Sequence, residues 1–247
     1  SFFNLTFSND NESHYFIIDK NNTQIDLNKC EFKALYREIL DRNIDKNKIW
    51  VNKWKREFQI EEQDWLQIWE NIHDNLNNYQ VQSSMWELLH RNYMCAYFAK
   101  LVFNKSGNCK LCGKLELKRV HIITDCETVK KIIENFDYIL ALLHTIPLTP
   151  KEIIFGISAK NKIDKKLHNY IMFAIRHVIY RSRNKTFDCQ NTAVIAISNR
   201  IKVFIRSDLK NKFFTALYKN EIQNFKDTYL YNNILGKIEN NELEHGI

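Results

Sequence analysis

The chain has 247 residues, 45% of them hydrophobic and 13% aromatic, enough to bury a substantial core and to exclude wholesale disorder. Five glycines and two prolines supply few turns, which argues against an all-β sandwich and for a mainly α-helical bundle. The net charge of +7 is unevenly spread: residues 100–131 carry eight basic against three acidic side chains and residues 160–212 thirteen against three, while every other stretch is mildly acidic. Two such basic blocks make a plausible footprint for a polyanion, although a charge run taken alone also suits a solvated helix surface.

No stretch approaches the roughly 20 apolar residues that a membrane span needs, and no signal peptide opens the chain. A soluble, intracellular protein with no membrane partner is the expectation. In that compartment the six cysteines (30, 95, 109, 112, 126 and 189) stay reduced.

Taken in order, residues 1–26 mix aromatic and β-branched residues with Asn, Asp and Ser, and read as a short β or extended lead-in. Asp26 precedes a helical run from Leu27 to Arg42, with Phe32, Leu35, Tyr36, Ile39 and Leu40 on one face. Trp50, Trp54 and Phe58 recur at helical spacing, and a further helix covers Glu62 to Leu76 with Trp65, Ile68, Trp69 and Ile72 as its stripe. One longer helix is expected from about Ser83 to Phe103, carrying Trp86, Leu89, Tyr93, Tyr97 and Leu101. Tryptophans at such spacing are core residues far more often than base-stacking platforms. Thr128 to Leu143 is expected as one helix, and Pro147, Pro150 and Gly156 then punctuate the chain. Lys165 to Arg183 reads as a helix whose exposed side and C-terminal end, through Arg176, Arg181, Arg183 and Lys185, are basic. Residues 191–218 suit a strand at first, but Ile201, Ile205, Leu209, Phe213 and Leu217 repeat every four residues and favour a helix. The expected organisation is a lead-in (1–26), a helical domain containing a metal knuckle (27–146) and a basic helical subdomain (147–247), with strand confined largely to the lead-in.

One motif carries chemistry. Cys109, Cys112, His121 and Cys126 form C-x2-C-x8-H-x4-C, with Gly113 tolerating the tight turn after the second thiol. The two-residue spacing lets both thiolates face one ion, and the x4 spacing brings His121 and Cys126 back at the entrance of the following helix. Three thiolates and an imidazole suit Zn2+, and four protein ligands leave no open position for water, so the zinc knuckle (109–126) is structural. Cys30, Cys95 and Cys189 lack such company and read as buried or incidental thiols.

The sequence has no glycine-rich phosphate loop, Tyr-x-Asp-Asp pair, His-Glu-x-x-His or restriction-nuclease carboxylate pattern. His90 and His144 read as structural, and the chain is not expected to be an enzyme.

The order of elements around the knuckle resembles the C-terminal region of the reverse-transcriptase polyprotein of LINE-type (non-LTR) retrotransposons. Leu35-Tyr36-Arg37-Glu38-Ile39-Leu40, Lys53-Trp54-Lys55 with Trp65 and Trp69, and Met85 to Tyr93 precede the four ligands, and Thr149 to Gly156 follow them. The resemblance covers about residues 30–185, and its specificity lies in the shared order. Two features depart from the family pattern: Ile122 to Asp125 stand where aromatics are frequent, and no Trp follows Cys126. The resemblance implies a non-catalytic accessory region, downstream of a polymerase, that helps hold template RNA and target DNA during target-primed reverse transcription. Its partners would be RNA, DNA and the rest of the polyprotein, in a ribonucleoprotein of nucleus and cytoplasm.

From charge and spacing, the expected phosphate contacts are Lys105, Lys110, Lys114, Lys118 and Arg119 around the knuckle, and Arg176, Arg181, Arg183 and Lys185 on a second surface. The alternative is a zinc-stapled protein-interaction scaffold or domesticated remnant. The two basic blocks clustering on one face would favour the first, and an exposed apolar patch the second. A hidden nuclease, weaker still, would need a carboxylate cluster that the sequence does not show.

Overall fold

The computed structural model describes residues 16–18, 24–26, 51–74, 78–91, 95–104, 106–116, 120–144, 146–158, 161–239 and 242–246. Contacts divide the chain into two units, Ser1–Gln59 and Ile60–Ile247. The fold is mainly helical, as the scarcity of turn formers requires, and no described helix is long and apolar enough to cross a membrane.

In the first unit, β1 (Phe16–Ile18) and β2 (Gln24–Asp26) pair antiparallel, with Phe16 opposite Asp26 and Ile17 opposite Ile25. Residues 51–58 form a helix, α1, in which Trp54 and Phe58, one turn apart, bring their rings to 5.6 Å. The helix expected over Leu27 to Arg42 lies outside the described residues, as does Cys30.

The second unit begins with α2 (Asp64–Ile72), which buries Trp65, Ile68 and Ile72 along the anticipated stripe. α3 (Tyr79–Leu89) starts at Asn78, whose Oδ1 accepts the Val81 N–H at 3.0 Å. The single helix expected over 83–103 is two: α3 ends, and α4 spans Ala96–Phe103. Arg91 between them has φ +54°, a left-handed backbone that no helix ladder can pass through. Thr128 to Leu143 likewise resolves into α6 (Glu127–Glu134) and α7 (Asp137–Leu140), separated by Asn135 and the fully buried Phe136. A one-turn helix, α5 (His121–Thr124), precedes them.

α8 (Pro150–Phe155), a helix not anticipated, is set by local chemistry. Pro150 sits in its first turn, and Thr149 and Glu152 exchange hydrogen bonds in a capping box. It ends at Gly156, with φ +83°, where a Cβ would stand 2.7 Å from Asn169 Oδ1. That oxygen instead accepts the Ile157 N–H at 2.8 Å.

α9 (Lys162–Ser182) is the central helix: α3, α10 and α11 pack against it, and Leu167 to Ile179 are buried without a break. Helix wins over strand at α10 (Gln190–Tyr218), which buries Ile197, Ile201, Ile205, Leu209 and Phe213 at the four-residue spacing and also meets α6. Each such side chain contributes roughly 1.5–3 kcal/mol when removed from water. Asp208 on α10 accepts Tyr170 OH at 2.7 Å and Asn78 Nδ2 at 2.9 Å and pairs with Lys212, which ties α3, α9 and α10 together.

α11 (Ile222–Tyr229) and a 3-10 turn (Tyr231–Asn233) lead to a second hairpin, β3 (Gly236–Glu239) with β4 (Glu242–His245). Strand was expected largely in the lead-in, so this hairpin is a correction. Its alternation is only four residues per strand, and Ile238 opposite Leu243 supplies an apolar cross-strand pair that packs on Phe213, Phe225 and Leu230.

Candidate metal centre

The knuckle is built from short local bonds. Cys109 N–H donates to Lys114 O and Gly113 N–H to Cys109 O, each at 2.8 Å, which closes the turn between the first two thiols. Gly113 takes φ +74° there, a conformation that a side chain would strain. Asn108 and Leu115 form a bridge that brings the chain back on itself. Cys126 N–H then donates to His121 O at 2.8 Å, so the one turn of α5 places the third and fourth residues of the motif side by side. Cys126 stands immediately before α6, and Thr128 Oγ1 in that helix donates to Leu111 O at 2.9 Å, fastening the loop from below.

The result is a buried cluster in which ligand atoms of Cys109, Cys112, His121 and Cys126 all lie within 4.8 Å of one another. Cys109 Sγ is 4.0 Å from Cys126 Sγ, and Cys112 Sγ is 3.3 Å from His121 Nε2. A tetrahedral ion with metal–sulfur bonds of about 2.3 Å needs sulfurs about 3.8 Å apart and a sulfur–nitrogen edge of about 3.6 Å. The donor set and its edges therefore fit a four-coordinate metal ion.

The electrostatics point the same way. Cys126 and then His121, as hydrogen-bonding neighbours, hold the Cys109 thiol down at about 3, despite burial. The bond to Cys109 and burial push Cys126 up, burial pushes Cys112 up, and the bond to Cys109 raises His121. One thiolate forms readily and then opposes the rest. A divalent cation at the centre removes that conflict, because it lets all three sulfurs ionise together.

The expected phosphate contacts fare unequally. Lys110 is exposed, and its Nζ donates to Asn184 O at 3.2 Å. Lys114 is exposed and paired with Glu127 at the start of α6. Arg181 and Lys185 are exposed at the end of α9, while Arg183 is half-buried. Lys105, Lys118 and Arg119 lie outside the described residues. Arg176 is a correction: it is only 6% exposed, with Nη1 donating to Ile154 O near the end of α8 and its guanidinium over Phe173. Neighbours on every side of α9 leave it no exposed face at that turn, so Arg176 supports a helix C-terminus instead of meeting phosphate.

Three supporting residues carried no signal in the sequence. Gln190 Nε2 donates to Cys112 O at 3.0 Å from the first turn of α10, Thr128 anchors the loop as above, and Glu116 accepts the Ala96 N–H at 2.7 Å. Each acts on a backbone group distant in sequence, which no local spacing reveals.

No protein-family model, curated protein or solved structure matches the chain.

Proposed function

We propose that the chain is a zinc-stabilised, non-catalytic nucleic-acid-binding region, the part of a non-LTR reverse-transcriptase polyprotein that its motif order resembles. Zinc is the preferred ion because three thiolates and an imidazole in a closed tetrahedral set suit its borderline softness. The observation that carries the nucleic-acid reading is the meeting of the two basic blocks. Lys110 of the knuckle reaches Asn184, and Gln190 reaches Cys112, so the knuckle rests on the turn between α9 and α10, beside Arg181, Arg183 and Lys185. A basic loop held on a rigid base presents its charges at little ordering cost. Template RNA and target DNA, held through their phosphates, are the ligands this reading names.

The test is salt-dependent binding to single-stranded RNA, duplex DNA and an RNA–DNA hybrid, with metal content measured on the same sample. Charge reversal at Lys110, Arg181 and Lys185 together should weaken binding to all sequences alike and reduce the salt slope by roughly 0.9 for each duplex phosphate no longer neutralised. A triple variant that binds as well as the parent overturns the reading.

A second reading, an interaction scaffold, draws on the outer side of α10, where Ile195, Val203 and Phe214 are each more than half exposed. A chain that binds none of the three nucleic acids even at low salt belongs to that class.

A further inference from the structure

Between α4, the knuckle and the end of α9 lies a cleft of about 600 Å³, bordered by Cys95, Lys110, Glu116, Arg183 and Asn184 among others. Two charged groups line it. Glu116 is 6% exposed, and its side chain accepts the Ala96 N–H on Oε2 and makes no second hydrogen bond among the described residues. The Arg183 guanidinium carbon stands 3.7 Å from the centroid of the Tyr180 ring, and Nη1 donates to Tyr180 O at 3.1 Å. Tyr180 is itself held by its hydroxyl, which donates to Glu87. Carboxylate and guanidinium border one cleft, yet no ion pair joins them among the described residues. Glu116 thus borders the cleft with acceptor capacity beyond the one bond to Ala96.

We propose that this cleft takes an unpaired guanine base, with Glu116 accepting from its pairing edge and the Tyr180-backed guanidinium of Arg183 offering a stacking surface. A carboxylate offers about four lone-pair sites and Ala96 occupies one. Of the four bases, guanine alone presents two adjacent N–H donors on its pairing edge, which is the complement of such a carboxylate. Guanidinium planes are stacking surfaces for splayed bases, and an aromatic ring behind the plane fixes its orientation. Lys110, exposed at the rim, is placed to meet the attached phosphate. The base chemistry has two sources, a guanine within a strand or a free guanine nucleotide. The first rests on the nucleic-acid reading above and the second does not.

The experiment uses the full, metal-loaded chain. A short single-stranded RNA containing one guanine is compared with the same strand carrying inosine or adenine there, and guanosine monophosphate is titrated separately. Parent protein should prefer guanine to inosine by about tenfold, since inosine lacks one donor, and guanine to adenine by more. Glu116→Gln should erase the preference while retaining zinc. Equal affinity for the three strands overturns the guanine site and leaves the nucleic-acid reading standing; this comparison needs no variant to fold. A folded, metal-bearing Glu116→Gln that keeps the preference overturns the role of Glu116. If no strand binds but guanosine monophosphate does, and Glu116→Gln abolishes that, the nucleic-acid reading falls and the site stands as a nucleotide site. If neither binds, both fall.

Discussion

The knuckle and the α9–α10 core belong to one unit but owe their shapes to different forces. Around the knuckle, a short loop is defined by four metal-type ligands, a left-handed glycine and a handful of backbone bonds. In α9, an unbroken run from Leu167 to Ile179 is buried against three other helices, and no single interaction decides the outcome. The first arrangement fails locally when one contributor is removed. The second fails everywhere at once, by an amount that follows the apolar volume removed.

The sharpest break in this comparison is at the ion. If the knuckle holds zinc as proposed, Cys112→Ser, or chelation of the parent protein, should remove binding free energy on the order of 10 kcal/mol from it, the scale of structural zinc sites. Hydrogen exchange should then show residues 106–126 losing protection while the middle of α9 keeps it. Equal loss in both regions would mean that the knuckle is part of the helical core and not a separate device.

The next largest effect belongs to the core. Phe173→Ala, at a fully buried position in α9, should cost about 3–5 kcal/mol and lower Tm throughout the second unit. Bound metal per folded chain should stay constant, which elemental analysis of the native fraction can check.

These two regions were not equally legible in the sequence. Ligand spacing is local and chemically specific, so the four ligands of the knuckle could be read directly and they converge as the spacing implied. Helical stripes were equally plain, down to the four-residue repeat that decided α10. What sequence periodicity hides is everything set by a neighbour. Arg176 looked solvent-facing because a single helix cannot reveal that α9 is enclosed on all sides. The break at Arg91 was invisible because the apolar stripe continues past it, while the backbone turns left-handed at that one residue. The C-terminal hairpin is too short for its alternation to stand out, and its purpose appears only when Ile238 and Leu243 meet Phe213 and Phe225.

A third effect, somewhat smaller, depends on pH. His168 is completely buried in α9, with neither ring nitrogen hydrogen-bonded among the described residues. Its ring stands edge-on to His144 at 5.6 Å, and His144 in turn meets Glu152 at 2.9 Å. Burial, and secondarily the charge of His144, hold His168 down at about 4 instead of 6.5. The unfolded chain therefore binds the extra proton first as pH falls. Stability contributed by neutral His168 is complete above about 6.5 and drains away between about 6.5 and 4, by about 3 kcal/mol over the window. Denaturant midpoints measured from pH 7 to 4 should show this decline, and His168→Leu should flatten it. An unchanged slope in that variant would assign the acid sensitivity elsewhere.

The smallest expected effect separates the surface of the knuckle from its shape. Lys114 and Glu127 form an ion pair between the knuckle and α6, but their side chains are 60% and 52% exposed, so water already screens both charges. Pairs of this kind gain little from attraction and lose side-chain freedom in making it. Lys114→Ala should leave Tm and the content of bound metal where they were, because the loop is fixed by the four metal-type residues, by Thr128 on Leu111 O and by Gln190 on Cys112 O. If Lys114 meets phosphate, the same substitution should still reduce the salt slope of nucleic-acid binding by the share of about one phosphate, and equally for every sequence. Glu127→Ala should do the reverse, strengthening binding slightly by freeing the lysine. A fall in bound metal in either variant would show that the ion pair closes the metal site, and the shape of the knuckle could no longer be credited to its four metal-type residues and their backbone anchors.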